Sequence, residues 1–412
     1  MISILWGVMG CSVLLAIVYL FSENKKAVNW QTFLIGFLLQ VILGFVVLRW
    51  SVGVSIIEFL SDGVNAIMSA GQEGLTFVFG ELADPDREGG SIFVINVLAI
   101  MIFLTSLISI LYHFGIMQLF VRIVGGFISR FMKTRAVEST NAVTNMFLGM
   151  TQSAISVKPY ISNISRSQVF AIMVGGLASV SGAVLFGLVA LGIPVEYLLS
   201  AAVMSAPAGL MVAKLMIPET DEAVQDEWKD IDLAQSSAEG EDPTFMDALI
   251  NGSRDGVTLT VNSAMVLIAI IGLVALVDII LGSIGGLVGY SELSLNLIFG
   301  YLFAPVAFLI GIPWDEAILA GGLLGEKVIL NEFVAFTSFT EVIDQFSEKS
   351  VAILSFALAG FANIGSVGIV LGIMLGIAPR RNKEIQSMAG KSLFAATIAN
   401  LLNGAIIGMF FF

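Results

Sequence analysis

The strongest constraint on this fold is a series of apolar runs, each long enough or nearly long enough to cross a bilayer as a helix. Only 12% of the 412 residues are charged and 57% are hydrophobic, whereas a soluble domain has about 25% charged residues. The sequence therefore predicts an all-α polytopic membrane protein. We predict eight full spans, at 2–21, 32–47, 91–114, 167–192, 195–217, 257–288, 351–378 and 391–412.

Composition also excludes several classes of function. The net charge of −13 does not suggest a nucleic-acid-binding protein, and much of it comes from one acidic segment at 218–247. Cys11 is the only cysteine and His113 the only histidine, so the sequence offers no disulfide framework, no cysteine metal site and no obvious catalytic base. We expect no enzyme activity, and the first apolar run is interpreted as a membrane helix rather than a signal peptide.

Five other segments are apolar or mixed without being clear spans. We predict that 51–80 and 115–135 are interfacial helices, because their apolar residues recur at helical spacing among polar or basic ones. The segment 293–312 is apolar but contains a proline. The segments 137–159 and 314–346 mix polar residues with apolar flanks. Their placement depends on the topology.

Basic residues set that topology, since cytoplasmic loops are enriched in Lys and Arg. The groups that we place inside are Lys25 and Lys26, the cluster from Arg122 to Arg135, Arg166, and the cluster from Arg380 to Lys383. Eight spans then place both termini outside. The two mixed segments fit this count only as re-entrant hairpins, the first opening to the inside and the second to the outside.

This topology divides the chain into five parts. They are N-terminal scaffold helices at 1–114, a first transport repeat at 115–217, the acidic cytoplasmic loop at 218–247, a long scaffold span at 248–292 and a second transport repeat at 293–412.

The second mixed segment contains Glu332 within the stretch Leu330-Asn331-Glu332-Phe333-Val334-Ala335. A charge at membrane depth costs about 3 kcal/mol on insertion scales, so it usually marks a site or a pathway. The alternative is an aqueous loop, but the topology favours a hairpin that reaches the midplane. Three other charged residues of these segments, Lys158, Glu326 and Lys327, are predicted to lie at the hairpin bases in water.

A short internal echo supports a repeat. The sequence 176–182 reads Gly-Leu-Ala-Ser-Val-Ser-Gly, and 360–366 reads Gly-Phe-Ala-Asn-Ile-Gly-Ser. Each lies early in the span that follows a hairpin, and the hairpins open to opposite faces. We therefore predict an inverted-topology repeat, as found in secondary transporters with a site near the midplane. Chance similarity between two small-residue packing helices is the alternative.

Several polar residues have suitable chemistry for a substrate. The Glu332 carboxylate is an acceptor for paired hydroxyls such as a sugar diol. Asn363 and Ser366 share a helix face and offer further donors and acceptors. Thr151 and Gln152 form a second polar cluster on the first hairpin.

Asn145 and Ser179 offer uncharged hard oxygens, which suit a monovalent cation better than Mg²⁺ or Zn²⁺. For Ser179, as for Asn363 and Ser366, hydrogen bonding between packed helices is the alternative role.

The whole chain resembles the concentrative nucleoside transporters. The resemblance rests on the order of apolar segments, the motif at 330–335, the stretch Gly-Tyr-Leu-Phe-Ala-Pro at 300–305 and Gly-Phe-Ala-Asn at 360–363. It implies a homotrimer in the cytoplasmic (inner) membrane, each protomer with eight transmembrane helices and two re-entrant hairpins. It also implies a scaffold part and a transport part that moves as an elevator.

The resemblance also implies residue roles. Glu332, Asn363 and Ser366 match the ribose-binding positions and Phe361 a neighbouring one. Asn145 and Ser179, together with the backbone carbonyls of Leu148 and Val180, match the sodium site.

The chain departs from the family on the first hairpin. Where the family commonly has Gly-Gln-Thr-Glu against the base, this sequence has Gly149-Met150-Thr151-Gln152. Met150 cannot make the hydrogen bonds of glutamine, and Gln152 is neutral where a carboxylate is usual. We therefore expect altered base preference, toward purines or a modified nucleoside.

The predicted function is nucleoside import by symport with sodium, with no other cofactor. The alternatives are a proton-coupled nucleoside transporter and a membrane protein that binds nucleosides without transporting them.

Overall fold

The computed structural model describes residues 2–84, 92–161, 163–220, 244–287, 289–290 and 292–411. This part of the chain contains sixteen α-helices joined by short turns, 3₁₀ segments and a π-helix at Val94–Leu98. In chain order they are α1 (Ile2–Leu20), α2 (Trp30–Leu48), α3 (Ser51–Phe79), α4 (Ile100–His113), α5 (Ile116–Met132), α6 (Ala136–Ser156), α7 (Arg166–Ala178), α8 (Gly182–Ala190), α9 (Val195–Met216), α10 (Phe245–Leu287), α11 (Leu295–Leu309), α12 (Trp314–Ile329), α13 (Glu332–Val342), α14 (Glu348–Leu358), α15 (Ile364–Ile377) and α16 (Asn382–Gly408).

The all-α prediction is confirmed, but the set of spanning helices differs from the predicted one. Eight segments of the described chain are long and apolar enough to cross a membrane. Ser51–Ala83 is one of them, although its sequence pattern predicted an interfacial helix, and its interfacial placement stays a prediction. The predicted span 351–378 is not among them. The predicted and observed numbers of spans are therefore equal, but Ser51–Ala83 takes the place of 351–378.

Both predicted hairpin segments fold back on themselves. In α6 the helix is interrupted at Gly149, whose φ of 77° and ψ of 177° reverse the chain. The side-chain amide of Asn141 on the first arm donates to the carbonyl of Ser153 on the second, at 2.7 Å. The second hairpin consists of α12 and α13, which pack together around a turn at Leu330 and Asn331.

Two predicted spans contain a break in the helix. Arg166–Ala190 is still long and apolar enough to cross a membrane, as predicted for 167–192, whereas 351–378 is not among the candidate spans. The first is divided into α7 and α8 at 179–181, and the second into α14 and α15 at 359–363. Each break coincides with one copy of the seven-residue echo. Ser181 and Asn363 cap the new helices through their side chains, which satisfies N–H groups that a helix start leaves unpaired.

Packing arranges the helices around these breaks. α7 and α9 are almost wholly buried, and α16 is buried mainly over its second half. These three helices contact one another, and α1 and α2 lie against α9 and α16. α4 and α10 pair closely, with the Thr260 hydroxyl donating to the carbonyl of Leu98 at 2.9 Å. Most apolar side chains of α10 stay exposed, as expected for a helix that faces lipid or a second protein chain.

Several of the basic groups predicted to lie inside meet at one end of the molecule. Glu23, in the turn after α1, binds Arg166 at 3.0 Å and Lys391 at 2.7 Å. Because of the hydrogen bond from Arg166, the pKa of Glu23 lies below its ordinary value. Arg381 donates to the carbonyls of two residues in the turn before α7, Ile161 and Ile164.

The acidic segment adjoins this same end. Most of it, residues 221–243, lies outside the described residues. At its start, Glu219 lies 3.5 Å from Lys214, which also binds the buried Glu138 at 2.6 Å. At its end, Asp247 belongs to the first turn of α10, where its carboxylate accepts from the backbone N–H of Thr244.

Candidate functional site

The two helix breaks cross each other in the protein interior. The backbone N–H of Phe361 donates to the carbonyl of Ser179 at 3.2 Å. The side-chain amide of Asn400, on α16, donates to the last carbonyl of α7, Ala178, at 2.6 Å and to that of Ala359 at 3.3 Å. Backbone groups freed by the breaks are thus satisfied internally, which is the condition for irregular backbone at membrane depth.

Gly360 is required by this crossing. A Cβ atom there would lie 2.5 Å from Oδ1 of Asn400 and 2.8 Å from the carbonyl oxygen of Ala178. Both distances are too short for a real side chain. The glycine in the echo at 360–366 therefore permits the two backbones to approach.

Glu332 lies at the tip of the second hairpin, next to the break between α14 and α15. Asn331 caps α13 by accepting from the backbone N–H of Val334 at 2.9 Å, so Glu332 is the first residue of that helix. A carboxylate there interacts favourably with the helix dipole. The residue is 5% exposed, which excludes the aqueous-loop alternative.

The Glu332 carboxylate has a specific partner on α15. Asn363 donates from Nδ2 to Oε2 of Glu332 at 3.0 Å, and its Oδ1 accepts from the backbone N–H of Ser366 at 2.7 Å. The structure thus joins three of the predicted site residues. Asn363 acts as both helix cap and carboxylate partner, while the Ser366 hydroxyl makes no hydrogen bond to a described residue. This hydroxyl and the second Glu332 oxygen are groups with which a diol can interact.

The first hairpin approaches the same region from the other repeat. Gly149 has positive φ, and a Cβ there would lie 2.8 Å from Cβ of Ser181, so only glycine fits the tip. Met150 lies over Gly176 of α7, near Val370 of α15. α15 therefore contacts both hairpins. Thr151 and Gln152 are exposed, and their predicted contact with a base stays a prediction.

Near the tip of the first hairpin, neutral polar groups of α6 and of the end of α7 form a compact cluster. Asn145 is fully buried and donates from Nδ2 to the carbonyl of Gly175 at 2.5 Å and to Oγ of Ser179 at 2.6 Å. Its Oδ1 accepts from Ser153 at 3.2 Å. Leu148 lies on α6, one residue before the kink, and Val180 lies in the break after α7, next to Ser179.

These donors fit a monovalent cation. Two side-chain hydroxyls, an amide oxygen and backbone carbonyls are hard oxygen ligands without net charge, and divalent ions usually require carboxylates. No cluster of three or more His, Cys, Asp or Glu in the described part of the chain could hold a metal ion. The structure brings two residues of the sodium prediction, Asn145 and Ser179, into contact, and the roles of the Leu148 and Val180 carbonyls stay a prediction.

Two predictions about charged residues at the second hairpin are wrong. Glu326 and Lys327 were assigned to an aqueous hairpin base, but their exposures are 8% and 1%. Glu326 accepts from Asn296 of α11 at 2.7 Å, and Lys327 donates to Asn400 at 2.7 Å. Lys158 is exposed, as predicted.

Two site residues were absent from the sequence analysis. Asn400 lies in an unremarkable apolar run, and Ser153 follows the predicted substrate residues of the first hairpin. Each is a polar residue within or beside a membrane segment. That position suggests a function but does not identify a binding partner.

Crossed broken helices and two hairpins around a buried polar cluster define a class, the polytopic membrane transporters built from repeats. Family models agree along nearly the whole chain. "Na+ dependent nucleoside transporter N-terminus" matches residues 9–82, "Nucleoside recognition" matches 94–194 and "Na+ dependent nucleoside transporter C-terminus" matches 197–408.

Similar proteins agree with these models. The nucleoside permease NupC of Helicobacter pylori is 38% identical over 99% of this chain and 98% of its own, and an uncharacterized transporter YutK of Bacillus subtilis is 42% identical over 99% and 100%. The structure of CNTnw in an inward-facing substrate-bound state matches with a TM-score of 0.93, 37% identity and coverage of 99% and 98%. This chain belongs to the concentrative nucleoside transporter family.

Proposed function

We propose that this protein imports nucleosides across the bacterial cytoplasmic membrane by symport with sodium, using elevator-type alternating access. The observation that carries the proposal is the buried Glu332–Asn363 pair at 3.0 Å, placed where the second hairpin meets a helix break. Ribose presents vicinal hydroxyls, and an ionised carboxylate accepts from both. Ser366 and Phe361 complete this ribose side of the site.

Base recognition falls to the first hairpin. Met150 is packed between α7 and α15, and Thr151 and Gln152 are exposed next to it. A thioether is apolar and adaptable and favours contact with a flat ring. A neutral amide both donates and accepts. We propose that this pair shifts base preference toward purines or modified nucleosides.

Sodium binds, in this proposal, between α6 and the break after α7. The side chains of Asn145 and Ser179 and the carbonyls of Leu148 and Val180 would hold it. On sodium binding, Oδ1 of Asn145 would give up its hydrogen bond from Ser153 and coordinate the cation instead. The family model's name, which specifies Na⁺ dependence, supports this coupling.

The moving and fixed parts are proposed from packing and from the relatives. The α4–α10 pair has an exposed apolar surface and would form the fixed, trimeric scaffold, whereas the hairpins and broken helices would form the part that moves. Solved structures of CNTnw include inward-facing, outward-facing and intermediate states. The α6 and α12–α13 hairpins would be re-entrant in this arrangement.

Uptake into proteoliposomes tests the proposal. Purified protein should accumulate labelled nucleoside with an inward sodium gradient and not with a pH gradient in sodium-free buffer. Glu332→Gln should abolish uptake, because the amide donates where the carboxylate accepted. Glu341→Gln is the matched control, since it neutralises an exposed carboxylate on the same helix.

Each result separates the candidate functions. Equal uptake driven by a pH gradient without sodium would identify proton coupling. Saturable nucleoside binding without counterflow exchange would identify a binding protein. Wild-type transport by the Glu332→Gln variant would remove this residue from the site.

A further inference from the structure

Lys327 is a cation enclosed in the protein core. It lies on α12 near the tip of the second hairpin, and it is among the largest fully buried side chains, with 1% exposure. Its Nζ makes one hydrogen bond among the described residues, to Oδ1 of Asn400 at 2.7 Å. No carboxylate in the described chain lies within 4 Å of it to form an ion pair. Burying a charge in this way is costly unless another group compensates it.

Two kinds of group compensate it. Asn400 connects Lys327 to the carbonyl ends of α7 and α14, at Ala178 and Ala359, where helix dipoles favour positive charge. Glu332, five residues on and across the hairpin tip, is a buried carboxylate of the opposite charge at the start of α13. Asn400 on α16 presents its amide oxygen to Lys327, and the neighbouring Glu326 instead accepts from Asn296 on α11.

The position has a counterpart in the first repeat. Asn145 lies four residues before the tip at Gly149, and Lys327 lies four residues before Asn331. Asn145 binds the break after α7 directly, and Lys327 reaches both breaks through Asn400. In the first repeat this position is a neutral ligand for a proposed sodium ion, whereas in the second it is an ammonium group.

We propose that Lys327 is a built-in cation that compensates the buried negative charge of Glu332 across the hairpin tip and so supports Glu332 as an acceptor for the substrate. It is a positioning residue, because it acts through Glu332 and Asn400 rather than by touching the nucleoside. The proposal rests on the proposed function of Glu332 in ribose binding. Its charge coupling to Glu332, however, is measurable without substrate.

A double-mutant cycle on thermal unfolding of the detergent-solubilised protein tests the coupling. Lys327→Gln keeps a donor for Asn400 but removes the charge, and Glu332→Gln removes the opposite charge. We expect each single variant to unfold at lower temperature, since each leaves a buried charge uncompensated. The stability lost in the double variant should be smaller than the sum of the stabilities lost in the two single variants. Lys349→Met, which removes a half-buried lysine beside Trp6, is the control and should show no coupling to Glu332→Gln.

Substrate binding is the second readout. At saturating sodium, Lys327→Gln should bind nucleoside at least about tenfold more weakly, and Lys327→Arg, which keeps the charge, should recover part of that loss. Additive stability changes in the cycle, or wild-type nucleoside affinity in Lys327→Gln, would overturn the proposal and leave Lys327 a support for Asn400 alone. If the double-mutant cycle shows the expected coupling between Lys327 and Glu332 but the protein transports no nucleoside, only the proposed function would be contradicted.

Discussion

Asn363 shows how one side chain can serve structure and site together. It caps α15 through Oδ1 and holds Glu332 through Nδ2. The helical spacing of Asn363 and Ser366 predicted a shared face, but the contact between them uses the Ser366 backbone N–H. Because the cap fixes the amide, the carboxylate next to it is preorganised for a ligand.

The sodium proposal makes a prediction at Asn145. Asn145→Ala removes the central amide of the neutral oxygen cluster, and we expect the sodium concentration for half-maximal nucleoside binding to rise at least about tenfold, or about 1.4 kcal/mol. Sodium titration of nucleoside binding by calorimetry measures this. Thr260→Val, which removes a buried hydroxyl on α10 that is bonded to Leu98, is the control and should keep the wild-type value. An unchanged sodium requirement in Asn145→Ala would place the ion elsewhere.

Base preference is predicted to depend on Met150 and Gln152. Replacing both, Met150→Gln with Gln152→Glu, restores the residue types common in the family. We expect the variant to shift toward pyrimidine nucleosides, because the pair then has a hydrogen-bonding amide and a carboxylate acceptor for the base edge. Competition of purine, pyrimidine and modified nucleosides against one labelled substrate measures the shift. An identical competition profile in the two proteins would show that other residues select the base.

At the scale of elements, the two helix breaks matter more than the helices themselves. Each break falls at one copy of the echo, and the two copies contact each other through Phe361 and Ser179. Small residues permit this close crossing, and the caps at Ser181 and Asn363 begin the next helices. The site therefore lies where four helix ends meet.

Gly360→Ala tests the crossing. Its Cβ would overlap Asn400 and the Ala178 carbonyl, so the backbones must separate. Overpacking of this kind costs about 1–3 kcal/mol. We expect lower thermal stability and loss of nucleoside binding. Gly368→Ala is the control, because a Cβ there meets no atom within 4 Å, and it should behave as the wild type. Normal binding by Gly360→Ala would mean that the crossing does not shape the site.

For the whole molecule, the exposed apolar surface of α10 is the feature that the single chain leaves uncovered. Lipid or neighbouring copies of the chain can cover it, and the homotrimer proposal assigns part of it to the neighbours. Cys11 is buried, so an introduced cysteine can report contacts without a competing exposed thiol.

Cysteine crosslinking tests this assembly. Single cysteines scanned over 265–280 on α10 should include positions that crosslink between copies, and the detergent-solubilised protein should have the mass of three chains. Leu38→Cys, exposed on α2, is the control and should not crosslink. A mass of one chain by light scattering, with no α10 crosslinks, would contradict the trimer.

The sequence by itself determined the helical membrane architecture, the two hairpins and several candidate site residues. Span-length apolar runs, basic clusters and the echo are local patterns, and bilayer thickness and backbone hydrogen bonding turn local patterns into topology. The positions of basic residues also predicted that Arg166 and the cluster from Arg380 to Lys383 lie on the same side.

Only the tertiary structure decided where helices break and which polar residues meet. Residues 167–192 and 351–378 are apolar enough to read as continuous spans, and the breaks form because another broken helix and Asn400 satisfy the freed backbone groups. The sequence likewise predicted Lys327 to lie in water, because the residue that binds it, Asn400, is distant in the chain. Whether a buried charge is tolerated depends on partners distant in sequence, here Asn400 and the carbonyl ends of two helices, which no local pattern encodes.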